Sequence, residues 1–485
     1  MLKILNRSHF LLLSGIAALS LTSSSLFAAG PATPLLPTVK QLVQWETGSN
    51  AVANRSAEPI AIEHYEIPLS AMGHSFSENL EADVRDALVF RKNGVETVRW
   101  IINPEDTKWH KELETWLKKK GLSVERHHFF TGYLTASRSM ILSNPENKAQ
   151  FSAKVSTDRT GGNWRDKHQG VSDAEQVRMA DGYLAEGAPA VDPSGGKVHA
   201  QNGQSALKQA LFDAQAGVVI FDHFKVLDEP AEFEIEDGLD QAMLVRSLGD
   251  LPHGSNYYLP GFSAMHDATG RAIALMNGST NPEQFWNEHY NKALGRAVAE
   301  FNAHYGLTYD SPHSQNFMIE LDANFKPTGK IVFRDFGDSY AFKGLFEALG
   351  EHEFLKEWEA DNILDNPMVA VGILHGNEDP KWITDAIYTQ WGHDFFAEYE
   401  KTFSALTGVP LSELNRSTMT QNGKYVSKGY NGHSLGFQRY LSIAECFHGK
   451  KVTRTGIPCP EHLLRKIVPG AACMNDVKKA GYFRK

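Results

Sequence analysis

The most informative alternation of apolar and polar positions lies in residues 305–340, YGLTYDSPHSQNFMIELDANFKPTGKIVFRDFGDSY. Two β-prone runs, residues 317–321 and 330–336, flank a polar stretch with Asn324, Pro327 and Gly329, which predicts a β-hairpin with a long turn. The hairpin carries His313, Gln315 and Asn316 to the start of one strand and Arg334, Asp335 and Asp338 to the end of the other. Upstream, a strand over 98–102, an amphipathic helix over 106–120 closed by Gly121 and a strand over 123–130 predict a β-α-β element. Short strands separated by turn residues fill 131–170. Residues 204–250 predict a helix, a buried strand at 218–221, an acidic loop over 229–240 and a strand over 242–248. Asn281-Pro282-Glu283 opens a long helix with Phe285, Leu294, Val298 and Phe301 at helical spacing. Helices over 343–358 and 380–406 carry apolar stripes that read as core, with Trp391 and His393 as packing residues; a last helical run covers 437–447. Residues 29–70, with Pro31, Pro34, Pro37, Pro59 and Pro68, read as a linker followed by irregular structure.

Composition sets the scale. A chain of 485 residues with 42% hydrophobic content can bury a large core and is expected to form two or three subdomains. The net charge of -10, with only short basic runs at 118–120 and 450–451, argues against nucleic acid as a partner. Lys3 and Arg7, the apolar stretch 10–21 and the small residues Ala28 and Ala29 have the layout of a Sec signal peptide, cleaved near Ala28 or Ala29. That stretch is too short to span a bilayer comfortably, and no later segment is long enough, so the mature chain is expected to be soluble, exported and periplasmic or secreted. Cys446, Cys459 and Cys473 fit no zinc spacing, which leaves two alternatives: two of them pair and staple the C-terminal tail, or all three are small buried hydrophobes.

Candidate chemistry concentrates at the hairpin. An amide oxygen from Asn316 and a carboxylate from Asp335, delivered from adjacent strand ends, form a hard-oxygen pair suited to magnesium, which takes the rest of its shell from water and substrate phosphates. Protein kinases hold their metals with a catalytic-loop Asn and the Asp of a DFG motif, and Asp335-Phe336-Gly337 is such a triplet. Arg138, Lys154, Arg159 and Arg165 recur through the strands of 131–170, where they either grip a triphosphate or coat a solvated strand face. Arg246 stands alone in an apolar strand and needs a buried carboxylate or an anionic ligand.

With these residues assembled, the chain resembles the IucA/IucC family of NRPS-independent siderophore synthetases. The family's Gly turn, acidic residue, H-x-Q-N and R-D pair are matched by Gly306, Asp310, His313-Ser314-Gln315-Asn316 and Arg334-Asp335. Its S-x-R-T phosphate loop and the following Lys and Arg are matched by Thr135-Ala136-Ser137-Arg138-Ser139, Lys154 and Arg165. The likeness covers roughly residues 132–340. Ala136 replaces the family's first Ser, and Pro312 adds one residue between Asp310 and His313.

The resemblance implies an α+β fold, a hand-like synthetase of several subdomains with a kinase-like palm. It implies that Ser137 or Ser139, Arg138, Lys154, Arg165 and Gln315 hold ATP, that Asn316 and Asp335 hold Mg, and that His313, Asp310 and Arg334 serve the chemistry. The expected division is a signal peptide at 1–28, an accessory region at 29–125, a β-rich phosphate-binding subdomain at 126–260 and a helical palm with the hairpin at 261–485. The expected activity is adenylation of a citrate-like carboxylate and its condensation with an amine or alcohol. Two alternatives stand beside it: an exported kinase-like effector, with Asp310 as base and a protein acceptor, and an inactive periplasmic binding protein.

Overall fold

The computed structural model describes residues 34–50, 55–77, 80–136, 138–159, 166–187, 223–305, 307–308, 314–336, 339–342, 355–356, 358, 363–364, 368–370, 385–407, 417–421 and 425–429. Ten strands come first: β1 (Ile60–Pro68), β2 (Gly73–Phe76), β3 (Val89–Lys92), β4 (Val95–Ile101), β5 (Arg126–Leu134), β6 (Ser139–Ser143), β7 (Gln150–Val155), β8 (Phe224–Val226), β9 (Ala231–Ile235) and β10 (Gln241–Arg246). All except β8 join one antiparallel sheet in the order β2-β9-β10-β7-β6-β5-β1-β4-β3. The β-α-β element is present in split form. β4, the helix Trp109–Lys119 and β5 follow one another, and β1 lies between the two strands, antiparallel to both. The expected boundary at 125/126 therefore falls inside this sheet.

Strand β10 shows why a continuous apolar run was needed here. Met243 and Val245 face the main core, with Phe151, Phe233 and Trp100, while Ala242 and Leu244 pack under Ala174 and Val177 of the helix Val171–Gly187. Both faces are covered, so alternation disappears from the sequence. The sheet is closely spaced at β5, where a Cβ on Gly132 would lie 2.3 Å from Ile62 Cγ1, leaving room for hydrogen only.

The second sheet contains β11 (Tyr257–Pro260), β13 (Phe317–Leu321) and β14 (Pro327–Phe333), in the order β11-β13-β14-β8; the short β12 (Leu307–Thr308) lies in a separate sheet. The expected hairpin is β13–β14, with its second strand beginning at Pro327 and ending at Phe333, so that Arg334 and Asp335 follow the strand directly. Behind it runs the helix announced by Asn281-Pro282. The Asn281 side chain accepts from Gln284 N at 3.2 Å, and Pro282 occupies the first turn. The helix continues through a π turn at Asn287–Asn291 into Lys292–Tyr305, which packs on Asp385–Thr407.

Three sequence readings are corrected. The stretch read as linker and irregular chain holds the helix Pro37–Gly48 and strand β1: Pro37 starts a helix instead of breaking one, because a first-turn residue needs no amide hydrogen. Val39, Leu42 and Val43 of that helix pack with Tyr133 and Ile141 of the first sheet and with Tyr258, Met318 and Val332 of the second, so it fills the seam between the sheets. The acidic loop over 229–240 contains β9, whose Ala231, Phe233 and Ile235 are buried at strand spacing between Glu232 and Glu234. His393 is exposed, whereas Trp391 is fully buried as expected. The signal segment, the elements expected at 204–221 and 437–447, most of 343–358 and the three cysteines lie outside the described residues. Among the described residues no helix is long and apolar enough to cross a membrane.

Candidate functional site

The ends of both sheets meet at one polar cavity of about 230 Å³. From the first sheet come Ala136, Arg138 and Ser139 at the β5–β6 turn, Lys154 near the end of β7 and Arg246 at the end of β10. Lys167 is brought in by its two backbone hydrogen bonds with Thr157. From the second sheet come Gln315 and Asn316, just before β13, and Arg334 and Asp335, just after β14. The hairpin ends are locked to each other: Arg334 N donates to Asn316 O at 3.0 Å, and Arg334 Nε donates to Gln315 O at 2.7 Å.

Of the residues expected in the site, Arg138, Ser139, Lys154, Gln315, Asn316, Arg334 and Asp335 all line this cavity. Ser137, Arg165, Asp310 and His313 lie outside the described residues. Arg246 takes the first of its two alternatives, pairing with buried carboxylates, and it also lines the cavity.

Charge dominates the electrostatics. Five cationic side chains, Arg138, Lys154, Lys167, Arg246 and Arg334, surround one carboxylate among the described lining residues, Asp335. Lys154 Nζ sits 2.7 Å from Asp335 Oδ1, and Arg246 approaches the same oxygen at 3.3 Å. Burial by itself would raise the Asp335 carboxyl, but Lys154 and Arg246, with Arg138 further off, outweigh it and hold the group far below the ordinary carboxylate range. Asp335 also has a left-handed backbone, φ 68°, an uncommon state for a residue with a side chain and one that Asp tolerates better than most. The strand has to turn sharply there so that Phe336 enters the core beside Phe301 while the carboxylate stays in the cavity.

The cations are braced from behind by residues the sequence did not single out. Glu229 pairs with Arg246, and Glu46 of the helix Pro37–Gly48 pairs with Arg334 at 2.6 Å; both carboxylates are buried. Arg138 donates to His168 O. The turn that carries Arg138 is held by the N-terminal segment, with Asn50 Nδ2 donating to Thr135 O at 3.3 Å and Arg55 to Ala136 O at 3.2 Å. Composition could have flagged these groups only as scattered charges, because each partner lies far away along the chain.

The arrangement fits a polyanion. The cavity is below the roughly 300–1,000 Å³ that encloses a drug-sized ligand, so it accommodates the charged part of a molecule. Planar guanidinium groups and ammonium points converging in one polar recess match phosphate oxygens. For magnesium, Asn316 and Asp335 offer two hard oxygens in the same cavity. They fit an ion that arrives with phosphates, since one carboxylate among five cations is no metal cage by itself, and among the described residues no group of three His, Cys, Asp or Glu side chains could hold a metal ion.

No protein-family model matches the sequence, and no curated protein matches it. Similar solved structures are those of siderophore synthetases. Aerobactin synthetase IucA from a hypervirulent pathotype of Klebsiella pneumoniae is 15% identical with a TM-score of 0.42, over 73% of this chain and 62% of that one. A second structure of that synthetase, bound to ATP, is 14% identical with a TM-score of 0.42, over 73% of this chain and 63% of that one. Aerobactin synthetase IucC from the same source is 12% identical with a TM-score of 0.43, over 74% of this chain and 60% of that one. Petrobactin biosynthesis protein AsbB from Bacillus anthracis str. Sterne is 12% identical with a TM-score of 0.49, over 82% of this chain and 71% of that one. The chain spans about three fifths of the length of the aerobactin synthetases it matches. Its fold is α+β: a nine-stranded and a four-stranded sheet, with two smaller three-stranded sheets among the described residues and helices packed around them.

Proposed function

We propose that this chain is an ATP-dependent ligase that adenylates a carboxylate and passes the acyl group to an amine or alcohol. The observation that carries the reading is the convergence of Arg138, Lys154, Lys167, Arg246 and Arg334 with Asn316 and Asp335 in one recess between the sheets. An ATP phosphate chain seated among those cations would have the charge that develops at phosphorus stabilised from both sides, with no reorganisation required at the moment of reaction. A substrate carboxylate oxygen attacks the α-phosphorus, the bond to the β-phosphate oxygen breaks and pyrophosphate leaves. The amine or alcohol then attacks the acyl carbon, gives up a proton and releases AMP. Asn316 and Asp335 would hold magnesium, which supplies Lewis-acid stabilisation of phosphate charge when bound. Arg334, fixed by Glu46 and by Gln315 O, orients the anion from the hairpin side. A citrate-like acid is the substrate class we assign, since a second anionic group would find further cations along the same wall.

The second reading is transfer of phosphoryl or AMP to a hydroxyl, on a protein or a small molecule, with a kinase-like palm. Its support is Asp335-Phe336: the Asp faces the cavity while the Phe is fully buried, the division of labour a DFG triplet requires.

Incubation with ATP labelled at the α or γ position, with citrate plus amines and separately with cell lysate, separates the two. AMP and pyrophosphate release that depends on the acid and amine is the expected result. Label from the γ position retained on a product establishes the kinase reading instead. Absence of nucleotide binding together with absence of turnover leaves an anion-binding protein.

A further inference from the structure

Asp335 is in the wrong company for a waiting metal ligand and in the right company for a phosphate. Its carboxylate oxygen takes the ammonium of Lys154 at 2.7 Å and the guanidinium of Arg246 at 3.3 Å, and both cations line the cavity. A buried cluster of like charges repels itself and needs a counter-charge. The chain provides one from the strand end after β14, at the cost of a left-handed backbone at Asp335, φ 68°. The side chain is mostly out of solvent, 18% exposed, and its partner Lys154 is 12% exposed, so water screens the pair poorly.

We infer that Asp335 is an internal competitor for the anion seat and so determines which anions the cavity accepts. An incoming anion must take Lys154 and Arg246 from Asp335, and the displaced carboxylate must then find a cation of its own. A metal-free anion supplies none, so it leaves Asp335 buried and uncompensated. A polyphosphate that brings a divalent cation supplies both replacements at once: its oxygens go to the basic side chains and its cation goes to the freed carboxylate and Asn316. Anion and cation binding are thereby positively coupled through one residue, and an unaccompanied anion pays a fixed tax in apparent affinity. The inference rests on the reading of the cavity as a phosphate site, and it adds that Asp335 opposes binding until a cation arrives.

The test uses inorganic tripolyphosphate as probe and titration calorimetry as readout, with the full chain as wild type and as Asp335→Asn, in chelator and in magnesium. Asn keeps the size of the side chain and removes its charge. In chelator, the variant is expected to bind tripolyphosphate at least tenfold more tightly than wild type. Magnesium is expected to tighten binding at least tenfold in wild type and less than threefold in the variant. Equal affinity of the two proteins in chelator, or weaker binding by the variant, overturns the inference while leaving the phosphate site standing. Absence of tripolyphosphate binding by either protein in any condition overturns the phosphate site and the inference together. If the variant does not fold, wild type alone decides: magnesium added without anion is expected to give no heat of binding at 1 mM (about 1 mM being an ordinary weak-binding limit), and saturable binding there shows a carboxylate that is not clamped and ends the proposal.

Discussion

Asp335 and Asp181 are both aspartates removed from water, and their carboxyls move in opposite directions. Asp335, set among Lys154, Arg246 and Arg138, is held far below its ordinary value of 3.8. Asp181, on the helix Val171–Gly187, is pushed up to about 8 by burial and by the neighbouring Asp228, with a smaller opposing pull from the Glu229 amide, which donates to it at 2.9 Å. Glu232, on the strand beneath that helix, is likewise pushed up to about 8, by burial against a weaker pull from Arg178. Burial penalises charge in every case, and the neighbours decide whether the penalty stands. One end of this polar layer is built to stay ionised and the other to hold protons, and Glu229 links them, its backbone on Asp181 and its side chain on Arg246.

The largest expected effect breaks the ionised end. Lys154→Met leaves Asp335 with one cation fewer in a buried setting, and loss of one partner from a buried pair costs about 3–5 kcal/mol. Urea denaturation should show that loss, and tripolyphosphate binding should fall at least a hundredfold.

His64 sharpens the comparison from the cationic side. It is 1% exposed, its ring stands near His127, Phe129 and Phe130, and burial, with Arg99 adding, lowers it to about 3. An unfolded His takes up a proton near 6.5 and the folded one does not, so the unfolded state binds more protons below that value. The contribution of His64 to stability should therefore fall as pH drops from about 6.5 towards 3, by up to about 1.4 kcal/mol per pH unit. Denaturation of wild type and of His64→Phe across that range should isolate it, the variant gaining on wild type as pH drops.

The smallest effect tests the protonated end. Below about pH 4, where Asp181 holds its proton in the folded and the unfolded chain alike, Asp181→Asn replaces a neutral carboxyl with a neutral group of the same shape, so stability should change by no more than about 1 kcal/mol. A raised carboxyl contributes stability that is complete below about pH 4 and lost as pH rises through about 8. The variant should lose only the Asp181 share of that decline: the fall in stability from pH 5 to pH 8, to which Glu232 still contributes, should be smaller than in wild type, so the variant gains on wild type as pH rises. A cost above 3 kcal/mol at pH 7 would show that Asp181 is charged in the fold.

The sequence disclosed what was local and typed. The hairpin announced itself through its strand pattern, and Arg138, Lys154, Gln315, Asn316, Arg334 and Asp335 were recognisable because basic and hard-oxygen side chains fell in a familiar order. What stayed hidden was what depends on distant pairing. Glu46 is an ordinary helix residue until Arg334 is laid against it, and Glu229 looked like part of an acidic loop until β10 delivered Arg246. Glu232 and Glu234 concealed a strand because their charge masked the burial of Phe233 between them.

The helix Pro37–Gly48 bears on the order of folding. It docks on segments made much later, as in the hydrogen bond from Thr38 Oγ1 to Leu251 O across 213 positions, and Arg334 lies further on still. A ribosome releases this helix early, yet its apolar stripe has no seat until both sheets exist. Contacts so remote in sequence form slowly, because the intervening chain must first be brought to order. The recess between the sheets should thus be among the last parts of the molecule to form, and a nascent chain stopped short of β14 should hold this helix undocked and have no anion seat.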